Sequence, residues 1–387
     1  MQHPTSKSST EQIEHTISSK ALPLKRVAII NRGEPALRFI RALREYNFER
    51  ETQIKAVAFL TEPDLSSPVA HLADEVVFLG PALQTKADGS SISAYLQHEQ
   101  LLKHLQDNEC DSVWPGWGFV SEDADFVELL EQNDITFIGP SSHAMRKLGD
   151  KIESKHLAEA SEVPLAPWHL IKSEPQQDNT EAQEQELQKC ANDIGYPLMV
   201  KASAGGGGRG IRKVKASKEL LPSIRSAQDE VRKVFGQGGL FMEACITNAR
   251  HIEVQFVAGV DGKAKALGIR DCSLQRRNQK VLEEAPSPIL PVATEQLLYR
   301  ATEQLAELAH YQGVGTAEYL YRPNEDQAYF LEVNSRLQVE HTITEMITGC
   351  DLVKIQLDIA NGLDWRELAG PHEQINGHAI EVRLNAE

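Results

Sequence analysis

Between residues 26 and 138 short β-branched runs alternate with amphipathic helical stretches, and this alternation limits the fold more than any other feature of the chain. RVAII at 26–30 reads as a strand, 34–45 as a helix, IKAVAFL at 54–60 and 75–79 as strands, 93–106 as a helix, and 135–138 as a closing strand before Gly139 and Pro140. Such a series predicts a mostly parallel sheet flanked by helices. The first strand runs into NRGEPA, which lacks the glycine fingerprint of a dinucleotide site. The alternation by itself therefore implies no cofactor.

A second compact region follows a polar, acidic stretch at 173–188, which reads as a surface excursion. Strands are expected at 196–203, 211–215 and 240–244, with a helix over 217–234. Beyond them lie the strand runs IEVQFVAGV and KALGIRD, a long helix over 295–311, and strands at 315–321 and 328–334. The strands at 196–203 and 211–215 are joined through VKASAGGGGRGI. Gly205, Gly207 and Gly210 satisfy G-x-G-x-x-G, yet a dinucleotide loop must open a helix, and IRKVK reads as a returning strand. Ile211 after Gly210 excludes a Walker A loop. A glycine-tipped hairpin remains. Its N–H groups can turn toward phosphate as a flap, with Lys201 beside them, or it can be a loose surface hairpin.

The balance of 40 Lys and Arg against 56 Asp and Glu gives a formal charge of −16, so a general nucleic-acid or membrane surface is not expected and any phosphate grip is local. Residues 322–326, RPNED, turn between two apolar runs and predict an antiparallel hairpin. Period-two alternation would put Phe330, Glu332, Asn334 and Arg336 on one face, opposite Leu331, Val333 and Leu337. With Glu318 on the partner strand, two carboxylates and an amide oxygen form the hard oxygen set that Mg²⁺ takes beside nucleotide phosphates. Arg336, Gln338 and Glu340 continue the register with a planar cation and a candidate general base. Upstream, RDCSLQRRNQKVLEEAP gathers Arg276, Arg277 and Lys280 with Gln275 and Asn278 in a cationic run, and a solvated basic loop is the simpler reading for Arg277. His251 can bond a ribose hydroxyl or serve structure, and Cys272 reads as packing rather than as a nucleophile.

Taken in order, NRGEPALR, WPGWGFVSED, FIGP, MRKLGDK, VKASAGGGGRGI, MEACITNARHIEVQ, RDCSLQRRNQKVLEEAP, FLEVNSRLQVEHTITEMITG and GHAIEVRLN resemble the motifs of biotin carboxylase, the ATP-grasp component of biotin-dependent carboxylases. The resemblance runs from about residue 24 to the end. It implies an α/β chain with a disordered tail at 1–22 and a Rossmann-like N-terminal domain at 23–141. An ATP-grasp domain follows at 142–362, with a mobile glycine-flap lid at about 154–245, and the start of a C-terminal domain at 363–387. The family continues beyond this point, so the chain is expected to be a truncated form.

Carried over by position, the resemblance makes Lys151, Lys201, Gly207 and Gly208 nucleotide contacts, with Glu243, Ala244, Cys245 and Ile246 at the adenine hinge. His251, Gln275 and Asn278 also fall on the nucleotide side. Lys280 and Arg336 resemble bicarbonate ligands, and Val339 resembles a backbone contact to the same ion. Glu318, Glu332 and Asn334 resemble ligands of Mg²⁺ or Mn²⁺, Glu340 the general base, and Arg383 the partner of the biotin ureido oxygen. Asn278 departs from a usual histidine, Ala204 from a usual glycine, and Trp114 and Trp117 from the His and Tyr of stand-alone bacterial enzymes.

The implied reaction uses ATP, bicarbonate and carrier-borne biotin, as part of an acyl-CoA carboxylase of the acetyl-CoA type. The implied partners are a biotin carboxyl carrier, a carboxyltransferase and a second copy of the chain. Another ATP-grasp ligase, such as a carbamoyl-phosphate synthetase half, and a non-catalytic nucleotide-binding domain stay open as alternatives. QRRNQK, RLQVEH and Arg383 weigh against the former. Five scattered cysteines without a C-x-x-C pair, and no apolar run long enough to span a bilayer, fit a cytoplasmic protein.

Overall fold

The computed structural model describes residues 23–86, 89–171, 181–203, 210–235, 239–277, 279–366 and 375–384. The first unit is a five-stranded sheet in the order Glu75–Phe78, Lys55–Leu60, Arg26–Ile29, Ser112–Trp114, Thr136–Phe137, all parallel. Val27, Ala28 and Ile29 are buried on both faces, which explains a strand that reads as a continuous apolar run. The strand Ser112–Trp114 was not expected, because three residues ahead of Pro115 carry too short a pattern. The expected helix over 93–106 begins later, at His98–Asp107, after a one-turn 3₁₀ segment at Ala94–Leu96. Helix Gly33–Glu49 covers one sheet face with Phe39, Ile40, Leu43 and Tyr46. Trp114 stacks on Phe39 at 4.6 Å, and its indole N–H donates to Gln356 Oε1 at 3.1 Å. That contact joins the first unit to helix Leu352–Ala360 in one core.

The second sheet has six antiparallel strands in the order Gln327–Asn334, Gly313–Arg322, Arg250–Ala258, Ala264–Arg276, Gln279–Ala285, Ala379–Val382. On one face Ile252, Val254 and Phe256 pack with Leu298, Ala301 and Leu305 of helix Val292–Leu308. The other face carries the polar residues considered below. The cationic run forms most of a hairpin, and Arg277, a non-glycine residue at φ 54°, is exposed in its turn, as a solvated basic loop at that residue expects. One expectation changes here. Phe330 does not share a face with Glu332. The register slips between Glu318↔Glu332 and Tyr319↔Phe330, so Leu331 is the extra residue of a bulge. Phe330 then joins Tyr319 and Val333 in the apolar core, while Glu332 and Asn334 face the other way.

A third sheet, in the order Ile211–Val214, Leu198–Ala202, Leu240–Ala244, Trp168–Ile171, is wholly antiparallel. The strands on either side of the glycine cluster pair directly, with Lys201 opposite Ile211, as a hairpin requires. The tip at 204–209, including Gly205, Gly207 and Gly208, lies outside the described residues. At Gly210, φ is +71° and a Cβ would come 2.9 Å from that of Ala202, so a side chain is doubly disfavoured there. The expected excursion at 173–188 is corrected in its second half: Glu181–Ile194 is a helix on this sheet. Only Leu187 and Ala191 of that helix are buried, which left too thin an apolar stripe to read.

Candidate active site

Strand register brings four charged residues into one row across the six-stranded sheet. Arg270 pairs with Glu253, Glu253 with Glu318, and Glu318 with Glu332. Like charges directly opposite one another repel, so such a row needs cations. Arg270 supplies one from complete burial: it donates to Glu253 Oε2 at 3.1 and 3.2 Å, to Gln255 and Thr344 through Nη1, and to Thr316 through Nη2. Lys280 supplies another. Its Nζ contacts Glu253, lies 3.1 Å from Glu318 Oε1 and 2.7 Å from Glu340 Oε1, and donates to Gln338 at 3.3 Å.

Burial opposes the lysine's charge, yet the carboxylates of Glu253, Glu318 and Glu340 together raise its pKa above the ordinary value. Burial likewise opposes the anions, but His251 and Lys280 hold Glu318 well below the usual carboxylate range and Glu253 at about 2. The His251 ring reaches Glu318 Oε2 at 3.0 Å and Glu253 Oε1 at 3.3 Å, so it faces the acidic row.

Glu332 is the member of the row with the least compensation. Burial and the neighbouring Glu318 both raise its pKa. Asn334 Nδ2 donates to Glu318 Oε1 at 2.8 Å, and Asn334 Oδ1 accepts from Arg336 Nη2 at 3.2 Å. Two facing carboxylates and an amide oxygen, with one carboxylate short of positive charge, suit a hard divalent cation.

Glu340, 2% exposed, immediately precedes helix His341–Thr348. Its second oxygen accepts from Arg383 Nη2 at 2.8 Å, and Arg383 Nε donates to Glu283 at 2.8 Å. Arg336 pairs through Nε with Glu122 of the first unit at 3.1 Å. Glu122, Lys151, Glu332, Asn334 and Arg336 line one cleft of about 410 Å³. Lys280, Glu340, Arg383, Arg336, Glu318 and Asn334 are thus linked by contacts, and Glu332 stands beside them through its strand pairing with Glu318.

The turn before Glu340 is pinned from below. His341 is fully buried, lies 5.7 Å from the Trp117 ring, and its Nδ1 donates to Gln338 O at 2.9 Å and Val339 O at 3.2 Å. Burial, and then Arg38, push its pKa down to about 4. Because the folded value lies below the unfolded one of about 6.5, the stabilisation is complete above pH 6.5 and is lost as pH falls through 4. The loss amounts to about 3 kcal/mol. Denaturant titrations at pH 7 and pH 4 are expected to show a smaller difference for His341→Gln than for the parent chain.

Among the residues expected at the nucleotide, Lys201 pairs with Glu243, which Lys155 brackets from the other side. Lys155 Nζ lies 2.7 Å from Glu243 Oε2, and Lys201 meets the other oxygen. Burial works against this anion, but Lys201 and then Lys155 hold its pKa below the usual value. Lys151 opens helix Lys151–Ala160, whose first turn Asp150 caps by accepting from the N–H groups of Ile152 and Glu153. Beyond Glu243 the expected hinge leaves the sheet half-buried, with Ala244 N donating to Pro167 O at 2.9 Å and Cys245 N to Pro197 O at 3.1 Å. Ile246 follows, also half-buried. Gln275 turns back to donate to Cys272 O at 3.0 Å, and Asn278 lies outside the described residues.

Glu253, Arg270, Glu283, Glu122 and Lys155 were not singled out from the sequence. A charged residue alone in an apolar strand, as in IEVQFVA and GIRD, was the available signal for the first two.

Two family models match the chain: biotin carboxylase, N-terminal domain, over residues 23–145, and carbamoyl-phosphate synthase L chain, ATP binding domain, over residues 150–368. Biotin carboxylase 1 of Bacillus subtilis is 39% identical over 364 residues, covering 94% of this chain and 76% of that protein. The mitochondrial propionyl-CoA carboxylase alpha chain of Homo sapiens is 39% identical over 366 residues, and the present chain spans 47% of its length. Among solved structures, a biotin carboxylase of Campylobacter jejuni superimposes with TM-score 0.81 at 36% identity, covering 94% of this chain and 76% of that one. The biotin carboxylase domain of the Hydrogenobacter thermophilus 2-oxoglutarate carboxylase, solved with MgADP, ADP and bicarbonate, gives TM-score 0.81 at 36% identity, covering 95% and 76%.

Proposed function

The chain belongs to the biotin carboxylase family of ATP-grasp ligases, and from that premise we propose that it carboxylates carrier-borne biotin at the expense of ATP, with Glu340 as the base that activates bicarbonate. The observation that carries this reading is the placement of Glu340, buried and clasped between Lys280 at 2.7 Å and Arg383 at 2.8 Å. One carboxylate there touches both a candidate bicarbonate ligand and a candidate biotin ligand.

In this reading bicarbonate binds between Lys280 and Arg336, with the backbone at Val339 as a further contact. Glu340 takes its proton, and the dianion attacks the γ-phosphorus of ATP to give carboxyphosphate and ADP. Carboxyphosphate breaks down to CO₂ and phosphate, and the phosphate removes the N1′ proton of biotin. Arg383, steadied by Glu283, stabilises the negative charge that then develops on the ureido oxygen. Glu318, Glu332 and Asn334 would hold Mg²⁺ or Mn²⁺, which neutralises phosphate charge when bound. Lys151 and Lys201 stand beside the phosphates, the segment 243–246 and His251 beside adenine and ribose, and Gln275 and Asn278 flank the same side. The glycine hairpin with Gly207 and Gly208, within a lid over about 154–245, would close on the nucleotide and exclude water.

The relatives carry different acceptors in their names, among them propionyl-CoA carboxylase and 2-oxoglutarate carboxylase, alongside urea amidolyase. For this chain an acyl-CoA acceptor of the acetyl-CoA type is the reading taken, reached through a biotin carrier, a carboxyltransferase and a homodimeric assembly. Unpaired cysteines at all five positions support a cytoplasmic setting, and among the described residues no helix is long and apolar enough to cross a membrane. The test is ATP turnover with free biotin as acceptor. ADP release should require both bicarbonate and biotin, whereas turnover indifferent to both would sink the reading.

A further inference from the structure

Glu243 has two lysines where one would neutralise it, and the two are held very differently. Lys201 is the penultimate residue of strand Leu198–Ala202, with 14% of its side chain exposed. Lys155 is caged, with 4% of its side chain exposed. Its ammonium lies 5.7 Å from the Trp168 ring centre and 5.4 Å from that of Phe241. Cross-strand register explains the cage: Trp168 pairs with Glu243 and Lys201 with Phe241, so these four side chains share the sheet face turned to helix Lys151–Ala160. A lysine between two aromatic faces keeps its charge when desolvated, because the ring quadrupoles attract it.

We infer that Lys155 is a positioning residue for nucleotide binding: a fixed counter-ion that stays with Glu243 when Lys201 leaves it for a phosphate. The inference rests on the proposal above that Lys201 contacts nucleotide phosphates. The physical reason is the cost of stranding a buried charge. Were Lys201 the sole partner of Glu243, its movement to a phosphate would leave a carboxylate unpaired in an apolar pocket, and the protein would hold the lysine back. With Lys155 in place the anion keeps one full partner, and Lys201 is free to exchange a carboxylate for a phosphate.

The experiment measures MgADP and adenosine affinity by calorimetry on the parent chain and four variants, Lys155→Met, Lys155→Arg, Glu243→Gln and the double Lys155→Met with Glu243→Gln. Lys155→Met is expected to weaken MgADP binding about tenfold while leaving adenosine, which has no phosphate to recruit Lys201, within about threefold. Lys155→Arg should retain most of the MgADP affinity. In a Glu243→Gln background no buried charge is left to strand, so adding Lys155→Met should change MgADP affinity by no more than about threefold relative to Glu243→Gln alone. Equal losses for MgADP and adenosine in Lys155→Met, or a further loss of about tenfold on adding it to Glu243→Gln, would overturn the inference. If Lys155→Met does not fold by itself, the comparison of the double variant with Glu243→Gln decides, since the two must bind MgADP alike. A parent chain that binds MgADP no more tightly than adenosine would instead remove the phosphate role of Lys201.

Discussion

Glu340→Gln is expected to lower bicarbonate-dependent ATP turnover by about 100-fold or more, while MgADP binding stays within about threefold of the parent chain. The substitution conserves shape: an amide still accepts from one cation through its oxygen, but it cannot receive a proton. Glu340 touches Lys280 and Arg383, and it shares no contact with Lys201 or Glu243 among the interactions described, so the nucleotide side should be left intact. Steady-state ADP release and calorimetry on the same preparation separate the two effects. Parallel loss of turnover and binding would mean that the residue supports the site's shape rather than its chemistry.

Lys280→Met should have an effect of similar size on turnover together with a large loss of stability. Three carboxylates, those of Glu253, Glu318 and Glu340, converge on this one ammonium group. Removing one partner from a buried ionic cluster costs about 3–5 kcal/mol, because the charges left behind have no water to return to. The sign of the pH dependence follows. In the variant the crowded carboxylates are disfavoured as anions, so their folded pKa values rise and the stability deficit relative to the parent shrinks as pH falls from 7 toward 5. Urea titrations of both chains at the two pH values check this, and a deficit that widens on acidification would contradict the role given to Lys280.

The layered outline was legible because its signals are local. RVAII, IKAVAFL and IEVQFVAGV read as strands from composition, and IRKVK after the glycines read correctly as a returning strand rather than a helix. What escaped was set by cross-strand register. Period-two counting put Phe330 beside Glu332, and only the bulge at Leu331 sends the ring into the core while Glu332 stays with Glu318. Arg270 and Glu253 lie 17 positions apart in the chain, and nothing in either strand alone reveals that they face each other beneath Lys280. The helix at Glu181–Ile194 was missed for a different reason, since two buried side chains in fourteen residues leave almost no periodic signal. Glu318, Glu332, Asn334, Arg336 and Glu340 stood out from strand alternation and residue type, while Val339 and Arg383 came from motif resemblance. Lys155 lies four residues beyond MRKLGDK and in none of the motif stretches.

The decisive step of the proposed reaction is the transfer of an oxygen from bicarbonate to the phosphate that leaves ATP. The most direct measurement follows oxygen-labelled bicarbonate through turnover with MgATP and biotin and analyses the released phosphate by mass spectrometry. Attack by a bicarbonate oxygen on the γ-phosphorus predicts label in the phosphate, formed in step with ADP and abolished together with it in Glu340→Gln. Unlabelled phosphate accompanying ADP release from the parent chain would mean that water, not bicarbonate, attacks, and would contradict the assignment.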